Sequence, residues 1–214
     1  MAIAIGTDKS TRMARVFHVL WHGERIAYDA AARQALICGD IKAKRFLSMQ
    51  SAQESRHAAL FHAATAVLTP RIRSLQTPAV AALNAYRRHL DHDLAAGHLA
   101  TSIVGLQIVL EGLGALTLSR INLALSPHGP RFAPFKRLLE QHEDSHHAFG
   151  RRWLERQDIE SLPRLAAEAY RYFELACSAI DGSEELFGYG VSTPQIFRLH
   201  LRAALPSTLT RDWP

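Results

Sequence analysis

Two strings of the form Glu-x-x-His constrain this chain more than any other feature. They run from Glu54 to His57 and from Glu143 to His146, each within a stretch of helical periodicity. Residues three apart on an α-helix are neighbours on one face, so each string presents a carboxylate beside an imidazole. Helical bundles that hold two metal ions use two such pairs, with one more carboxylate from each of two other helices. The strings therefore favour an all-α fold built around metal ligands.

The spacing of apolar residues predicts helices over most of the chain, separated by Gly, Pro and Asp signals. Gly39 ends the first helix and Asp40 can cap the second, while Gly97 is a candidate interruption of the long third helix. The clearest turn is 126–130, and Gly182 opens a loop with two further glycines at 188 and 190. The predicted helices cover about 11–36, 41–68, 79–125, 134–156, 163–180 and 194–204.

Distances along the chain from the turns supply a carboxylate partner for each string. Residues equally far from the turn of an antiparallel hairpin lie at the same level. Glu24 and Glu54 are each 15 residues from the first turn, at Gly39. Glu111 and Glu143 lie 17 and 15 residues from the middle of the second turn. We therefore expect Glu24 to meet Glu54, and Glu111 to meet Glu143 within one helical turn.

Together these residues form a predicted set of six metal ligands. Burying four carboxylates without partners would be prohibitively costly, and two divalent cations would supply the compensating charge. Mixed oxygen and nitrogen ligands suit iron or manganese, whereas sulfur-only sites suit zinc. The predicted cofactor is two iron ions, or one manganese and one iron. The predicted ligands are Glu24, Glu54, His57, Glu111, Glu143 and His146.

Several neighbouring residues are candidates for supporting roles, and the sequence leaves the choice among them open. Around the fourth helix the competing candidates are Glu140, His142 and His147. A ligating imidazole donates its second nitrogen to an outer acceptor; the candidate acceptors are Asp40, Asp91, Asp93 and Asp144. Three polar residues one turn from a ligand could line a substrate pocket or add polarity to the core: Tyr28, Gln50 and Gln107.

Three segments resemble signatures of one superfamily. The string 143–150 is similar to Asp-Glu-x-Arg-His-x-x-Phe-Gly, and 54–61 is similar to the first copy of that signature. The segment 107–112 resembles the third-helix Glu-Gly segment of the p-aminobenzoate N-oxygenase group. These strings resemble the ferritin-like di-iron carboxylate superfamily, in particular its ribonucleotide-reductase-like oxygenase and oxidase members. The resemblance spans about 24–150 and does not reach the helices after Leu162.

The resemblance implies a ferritin-like four-helix bundle with a long crossover and additional C-terminal helices. We expect one domain over 1–214, with the metal-binding bundle at about 11–157 and the C-terminal helices at about 163–205. The implied activity is that of a di-iron enzyme that activates O2 to oxidise a small organic substrate. An electron donor and a homodimer are expected. The alternative is a ferroxidase or iron-storage protein of the bacterioferritin type; a metal-stabilised protein without turnover is a third reading.

Composition sets aside several other classes. The formal net charge of +5 comes mainly from Arg spread along the chain, without the clustered basic patch of a nucleic-acid-binding protein. Two cysteines, Cys38 and Cys177, cannot form a four-thiolate zinc or iron–sulfur site, and this absence also argues against a rubrerythrin. We read both as ordinary thiols in a reducing cytoplasm and expect no nucleic-acid partner.

Membrane association is also not expected. The segment 1–6 is too short for a signal peptide. The apolar stretch 99–118 has the length of a bilayer crossing, but Gln107 and Glu111 lie near its middle. Because a carboxylate at the centre of a bilayer is costly, the sequence predicts a buried helix of a bundle there.

Overall fold

A computed structural model describes residues 7–69, 77–125, 133–183 and 193–214. Eight helices and a short 3₁₀ turn, Ile159–Ser161, account for the regular structure of these residues, among which there is no strand. The predicted all-α class is therefore confirmed. The turn predicted at 126–130 and the glycines at 188 and 190 lie outside the described residues. The helices are α1 (Thr7–Ile37), α2 (Ile41–Leu68), α3 (Pro78–Ala95), α4 (Leu99–Ile103, Val104–Leu110 and Glu111–Leu125 in continuous succession), α5 (Ala133–Leu154), α6 (Leu162–Asp181), α7 (Pro194–Ala204) and α8 (Ser207–Thr210).

Helix starts follow the capping residues in the sequence. The Asp40 side chain accepts a hydrogen bond from the Ala43 backbone N–H at 2.8 Å, so α2 begins where the sequence predicted. Thr77 and Thr193 cap α3 and α7 in the same way, each followed by a proline. A side-chain oxygen at this position satisfies one free backbone donor of the first turn, and proline suits the first helical position because its missing N–H would be unpaired there.

The long helix predicted over 79–125 is two helices, and the break lies at the candidate interruption. Gly97 has a φ of +73°, the only positive φ among the described residues. The His98 backbone N–H donates to the Asp93 carbonyl at 2.9 Å, and that of Gly97 donates to the Leu94 carbonyl at 3.2 Å. This is the Schellman arrangement, which glycine adopts readily because it has no Cβ. The chain changes direction there, and α4 packs into the core beside α3.

The main core joins the C-terminal helices to the rest of the protein. Its buried side chains come mainly from α1, α3, α4, α6, α7 and α8, with Leu154 at the end of α5. Tyr86 of α3, Tyr172 of α6 and Phe197 of α7 are among the largest fully buried residues. Trp213 at the end of the chain donates its indole N–H to the Ala166 carbonyl at 3.2 Å. The last third of the chain thus covers α3 and α4 and is part of the same hydrophobic core.

Among the described residues, one helix has the length and composition of a membrane span. It covers Leu99–Ile121 and has a mean hydropathy of 1.7, and 67% of this apolar stretch is buried inside the protein. A core helix enclosed by other helices is expected to have this character.

The middle of α4 departs from α-helical geometry immediately before Glu111. Residues Val104–Leu110 form a π-helical segment, and the Glu111 backbone N–H donates to the Leu106 carbonyl, five residues back. The Tyr86 hydroxyl donates to the Gly105 carbonyl inside this segment at 2.5 Å. π-Helical turns are rare and occur often at functional sites, and this one sets the direction in which Glu111 leaves the helix.

Candidate metal centre

The structure brings together the six residues that the sequence selected as ligands. They come from α1, α2, α4 and α5, and the most exposed of them, Glu24, is only 8% exposed. Two overlapping groups could each hold a metal ion: Glu24, Glu54, His57 and Glu143, and Glu54, Glu111 and His146.

The first group is centred on His57. Its Nδ1 lies 3.0 Å from Glu54 Oε2 and 3.4 Å from Glu24 Oε2. Glu143 Oε1 is 3.8 Å from the same nitrogen. One imidazole nitrogen and three carboxylates, carried by three different helices, thus converge on one small volume.

The second group is centred on His146 and shares Glu54 with the first. His146 Nδ1 lies 2.8 Å from Glu54 Oε1 and 3.6 Å from Glu111 Oε2. The two oxygens of Glu54 therefore face different histidines. Glu54 thus belongs to both groups that could hold a metal ion.

The outer nitrogen of each imidazole faces a residue of a neighbouring helix. His57 Nε2 is 3.0 Å from His142 Nδ1, and His146 Nε2 is 2.8 Å from Gln53 Oε1. The candidate acceptors drawn from the sequence lie elsewhere: Asp40 caps α2, Asp91 pairs with Arg33, Asp93 accepts from Tyr172, and Asp144 is exposed. Helical spacing fixes which residues share a face, but it does not fix which face of another helix they meet.

One buried nitrogen shows that the residues fit a metal ion. Gln53 Oε1 can only accept a hydrogen bond, so His146 donates to it from Nε2. His146 Nδ1 then offers a lone pair, and it is buried without a hydrogen-bond partner although Glu54 Oε1 is 2.8 Å away. A cation accommodates these two facing acceptors, whereas without one they leave a buried polar atom unsatisfied.

Burial and crowding shift the pKa values of the metal-free centre. Burial, followed by the charges of neighbouring carboxylates, raises the pKa values of Glu111 and Glu143 well above the ordinary range. Burial also raises the pKa of Glu24 in the same direction, against a hydrogen bond with His57 that lowers it. For Glu54, burial acts upward, but His57 and His146 outweigh it and lower the pKa when their imidazoles are protonated. Because like charges held this close cannot all ionise, metal ions would replace protons on binding.

A chain of buried amides supports the centre from the side of α4. The Gln50 side-chain N–H donates to Glu111 Oε1 at 2.6 Å and lies 3.4 Å from Glu54 Oε1. Gln107 donates to Gln50 Oε1 at 3.0 Å and to Gln34 Oε1 at 2.7 Å. Each amide thereby fixes the orientation of the next, and the last one points a donor at two ligand carboxylates. No sequence motif pointed to Gln34.

Replacing Gln50 with leucine is expected to weaken metal binding by about 10–100-fold, the usual cost of losing an outer partner of a ligand. The change removes the donor to Glu111 and leaves the Gln107 amide without one acceptor. Competition with a chromophoric chelator would measure the metal affinity. Ser48→Ala is the matched control, because Ser48 lies on the same helix, is exposed and bonds only the Lys44 carbonyl. Equal affinities of the two variants would contradict a positioning role for Gln50.

A pocket opens next to the centre on the side of three carboxylates. Glu24, Glu111 and Glu143 are among its lining residues, whereas His57 and His146 are not. The three polar residues expected at a pocket do not line it: Tyr28 is 41% exposed, and Gln50 and Gln107 lie in the buried amide chain. The remaining wall is mostly aliphatic and includes α6, which carries no motif. We call this space the apolar pocket.

A second depression reaches Glu143 from another direction. Its lining includes Ser119 of α4 and Glu140 and Asp144 of α5. Of the competing candidates around this helix, His142 contacts His57 and Glu140 lines the depression. His147 is not in either metal group, and its buried Nε2 has no hydrogen-bond partner.

A third cluster of potential ligands consists of His89, Asp93 and Glu168. It differs from the centre because its members have hydrogen-bonding or ion-pair partners within the protein. His89 Nε2 lies 3.2 Å from Glu168 Oε2, and Glu168 also accepts from Arg171. Asp93 accepts from the Tyr172 hydroxyl at 2.8 Å. These contacts describe an ion-pair network between α3 and α6, and no orphaned atom there calls for a cation.

No protein-family model matches this sequence, and no curated protein matches it. What the fold and the site define is therefore a class: an all-α protein with buried Glu and His groups that could hold metal ions.

Proposed function

We propose that this protein is a ferritin-like dimetal carboxylate enzyme that uses O2 to oxidise a small organic substrate. Two iron ions, or one manganese and one iron, would occupy the centre. The observation that carries the proposal is the position of Glu54, whose two oxygens face the two histidines at 3.0 and 2.8 Å. Such an arrangement is typical of a pair of cations sharing one carboxylate.

The ligand set supports this assignment through its charge and its chemistry. Four carboxylates balance the charge of two divalent cations, which makes the burial of all four affordable in a core. Oxygen and nitrogen donors without thiolates suit iron and manganese. When bound, these ions would supply the electrons for O2 reduction, which no side chain of the centre can provide by itself.

The residues of the chain would hold the metal ions, orient the ligand side chains and exclude water. His57 and His146 would bind through Nδ1, since their Nε2 atoms face His142 and Gln53. Gln50 would hold Glu111 in place through the amide chain. The aliphatic wall of the apolar pocket would keep bulk water from the side where Glu24, Glu111 and Glu143 are accessible, which strengthens electrostatic interactions within the centre.

Metal analysis combined with oxygen uptake would test the proposal. Protein expressed with sufficient iron should contain about two transition-metal ions per chain, as this class of bundle holds. After anaerobic chemical reduction it should consume O2 on mixing, and the metal-free protein should not. Zinc alone, or no metal from iron-replete cells, would contradict the assignment; so would a loaded, reduced protein that does not react with O2.

A second candidate function treats iron as the substrate. The depression lined by Glu140 and Asp144 next to Glu143 is a carboxylate-lined approach of the kind that a ferroxidase or iron-storage shell of the bacterioferritin type requires. The particle mass distinguishes the two functions: a homodimer fits the oxygenase, and a cage of many subunits fits storage. If each chain takes up many more added Fe(II) ions than the two that the centre could hold, the result would favour storage.

A further inference from the structure

The apolar pocket has a composition that restricts what can enter it. Its cavity volume is about 70 Å³, several times what one water molecule needs, so the pocket has room for a small organic group. Four helices provide its aliphatic wall. Six of the wall residues are Val16, Val19 and Leu20 of α1, Leu83 of α3, Leu113 of α4 and Ile180 of α6.

Charge is confined to one end of this pocket. Among the described residues that line it, the only ionisable side chains are Glu24, Glu111 and Glu143, all members of the metal groups. No lysine, arginine or histidine is among these lining residues. Of the two hydroxyl side chains in the wall, Ser183 already donates to the Ala179 carbonyl at 2.8 Å, and the other belongs to Thr117. An anionic group of a ligand would therefore lose its hydration in this pocket without a cationic partner, and a cationic group would meet only carboxylates whose charge the proposed metal ions balance.

We propose that the apolar pocket is the substrate site and that it selects an uncharged, mainly hydrocarbon molecule. The inference rests on the proposed function and deepens it, because it names the class of substrate. The ligand would lie against the aliphatic wall, with the atom to be oxidised near Glu24, Glu111 and Glu143. The histidines lie outside the lining, so the approach is from the carboxylate side of the centre. The C-terminal helix α6 contributes to this selectivity through Ala179 and Ile180, and Ser183 lies just after its end.

A glycine in the wall permits a test that leaves the ligands intact. Gly23 lines the pocket, and a Cβ added to it would meet no atom within 4 Å. Gly23→Leu should therefore place its side chain in the pocket space, since its first carbon meets no obstacle. Gly39→Leu is the matched control, since Gly39 is also open within 4 Å but is exposed and outside the pocket. Both variants should keep the metal content of the wild type.

Binding can be measured with the metal-loaded protein and a neutral fluorescent probe, N-phenyl-1-naphthylamine. We expect the wild type and Gly39→Leu to bind the probe equally and Gly23→Leu to bind it at least about tenfold more weakly, as steric exclusion from a close-packed site requires. Propylbenzene should displace the probe at concentrations at least about tenfold lower than phenethylammonium or phenylacetate, because the two ions must be desolvated.

The outcomes separate this inference from the proposed function. Unchanged probe binding by Gly23→Leu, or tighter binding of either ion than of propylbenzene, would overturn the apolar substrate site even if the protein holds iron and consumes O2. If the pocket binds as expected in a protein that fails the metal and oxygen tests, the ligand site stands and the proposed function is wrong. Retained metal in Gly23→Leu ensures that a loss of probe binding reports on the pocket.

Discussion

Replacing His57 and His146 together with alanine is expected to abolish metal loading. Each imidazole is the only nitrogen donor of its group. His57 faces one oxygen of the Glu54 carboxylate, and His146 faces the other. Without them the remaining candidate ligands are four carboxylates, and burial raises the pKa values of three of them. A raised pKa favours the protonated carboxyl group, so each metal ion would have to displace protons without a nitrogen ligand in its group.

Metal content per chain, measured after purification from iron-replete cells, checks this result. A variant carrying His62→Ala and His92→Ala removes the same number of imidazoles from exposed positions outside the centre, and it should load like the wild type. Because the double alanine variant could fail to fold, His57→Gln with His146→Gln provides a second measurement with side chains of similar volume, and circular dichroism reports the helix content of both. Full metal content in a folded double variant would remove the basis of the proposed centre.

The sequence predicts which residues meet across a hairpin, but it does not predict how a helix deviates from regularity between them. Equal distances from Gly39 paired Glu24 with Glu54, and the two belong to one group in the structure. For Glu111 the count differed by two residues, and the structure has a π-helical segment immediately before it. Local sequence does not reveal such a segment, because the π turn is held by tertiary contacts such as the hydrogen bond from Tyr86 to the Gly105 carbonyl.

Two glycines illustrate the same difference: the reason for one is its own backbone conformation, and the reason for the other is how closely two helices pack. Gly97 was a candidate interruption because helix ends favour glycine, and its φ of +73° is a local property. Gly150, the last residue of the second signature, has a different reason: a Cβ there would lie 2.8 Å from Gln107 Cβ and 3.1 Å from the Gln107 backbone carbon. Only the assembled helices show that α5 approaches the π-helical segment that closely.

Gly105→Ala is expected to destabilise the protein by roughly 3 kcal/mol, near the upper end of the usual cost of overpacking a core. A Cβ at this position would lie 2.5 Å from Cζ of the Tyr172 ring. That ring cannot move aside easily, because its hydroxyl donates to Asp93 at 2.8 Å and its centroid lies 5.1 Å from the centroid of the Tyr86 ring. The better helix propensity of alanine offsets only about 1 kcal/mol.

Urea denaturation of the metal-free protein would measure this cost as a lower midpoint at an unchanged m value. Gly112→Ala is the matched control on the same helix, where the added Cβ would meet Leu201 and Leu205 at ordinary contact distances of 3.8 and 3.9 Å. Because that change gains helix propensity without a clash, it should be neutral or stabilising by up to about 1 kcal/mol. If the two variants unfold at the same urea concentration, Tyr172 does not pack rigidly against α4. In that case the π-helical segment that precedes Glu111 would not be held by the tyrosine pair, and the direction of that ligand would have to be set by the amide chain through Gln50 alone.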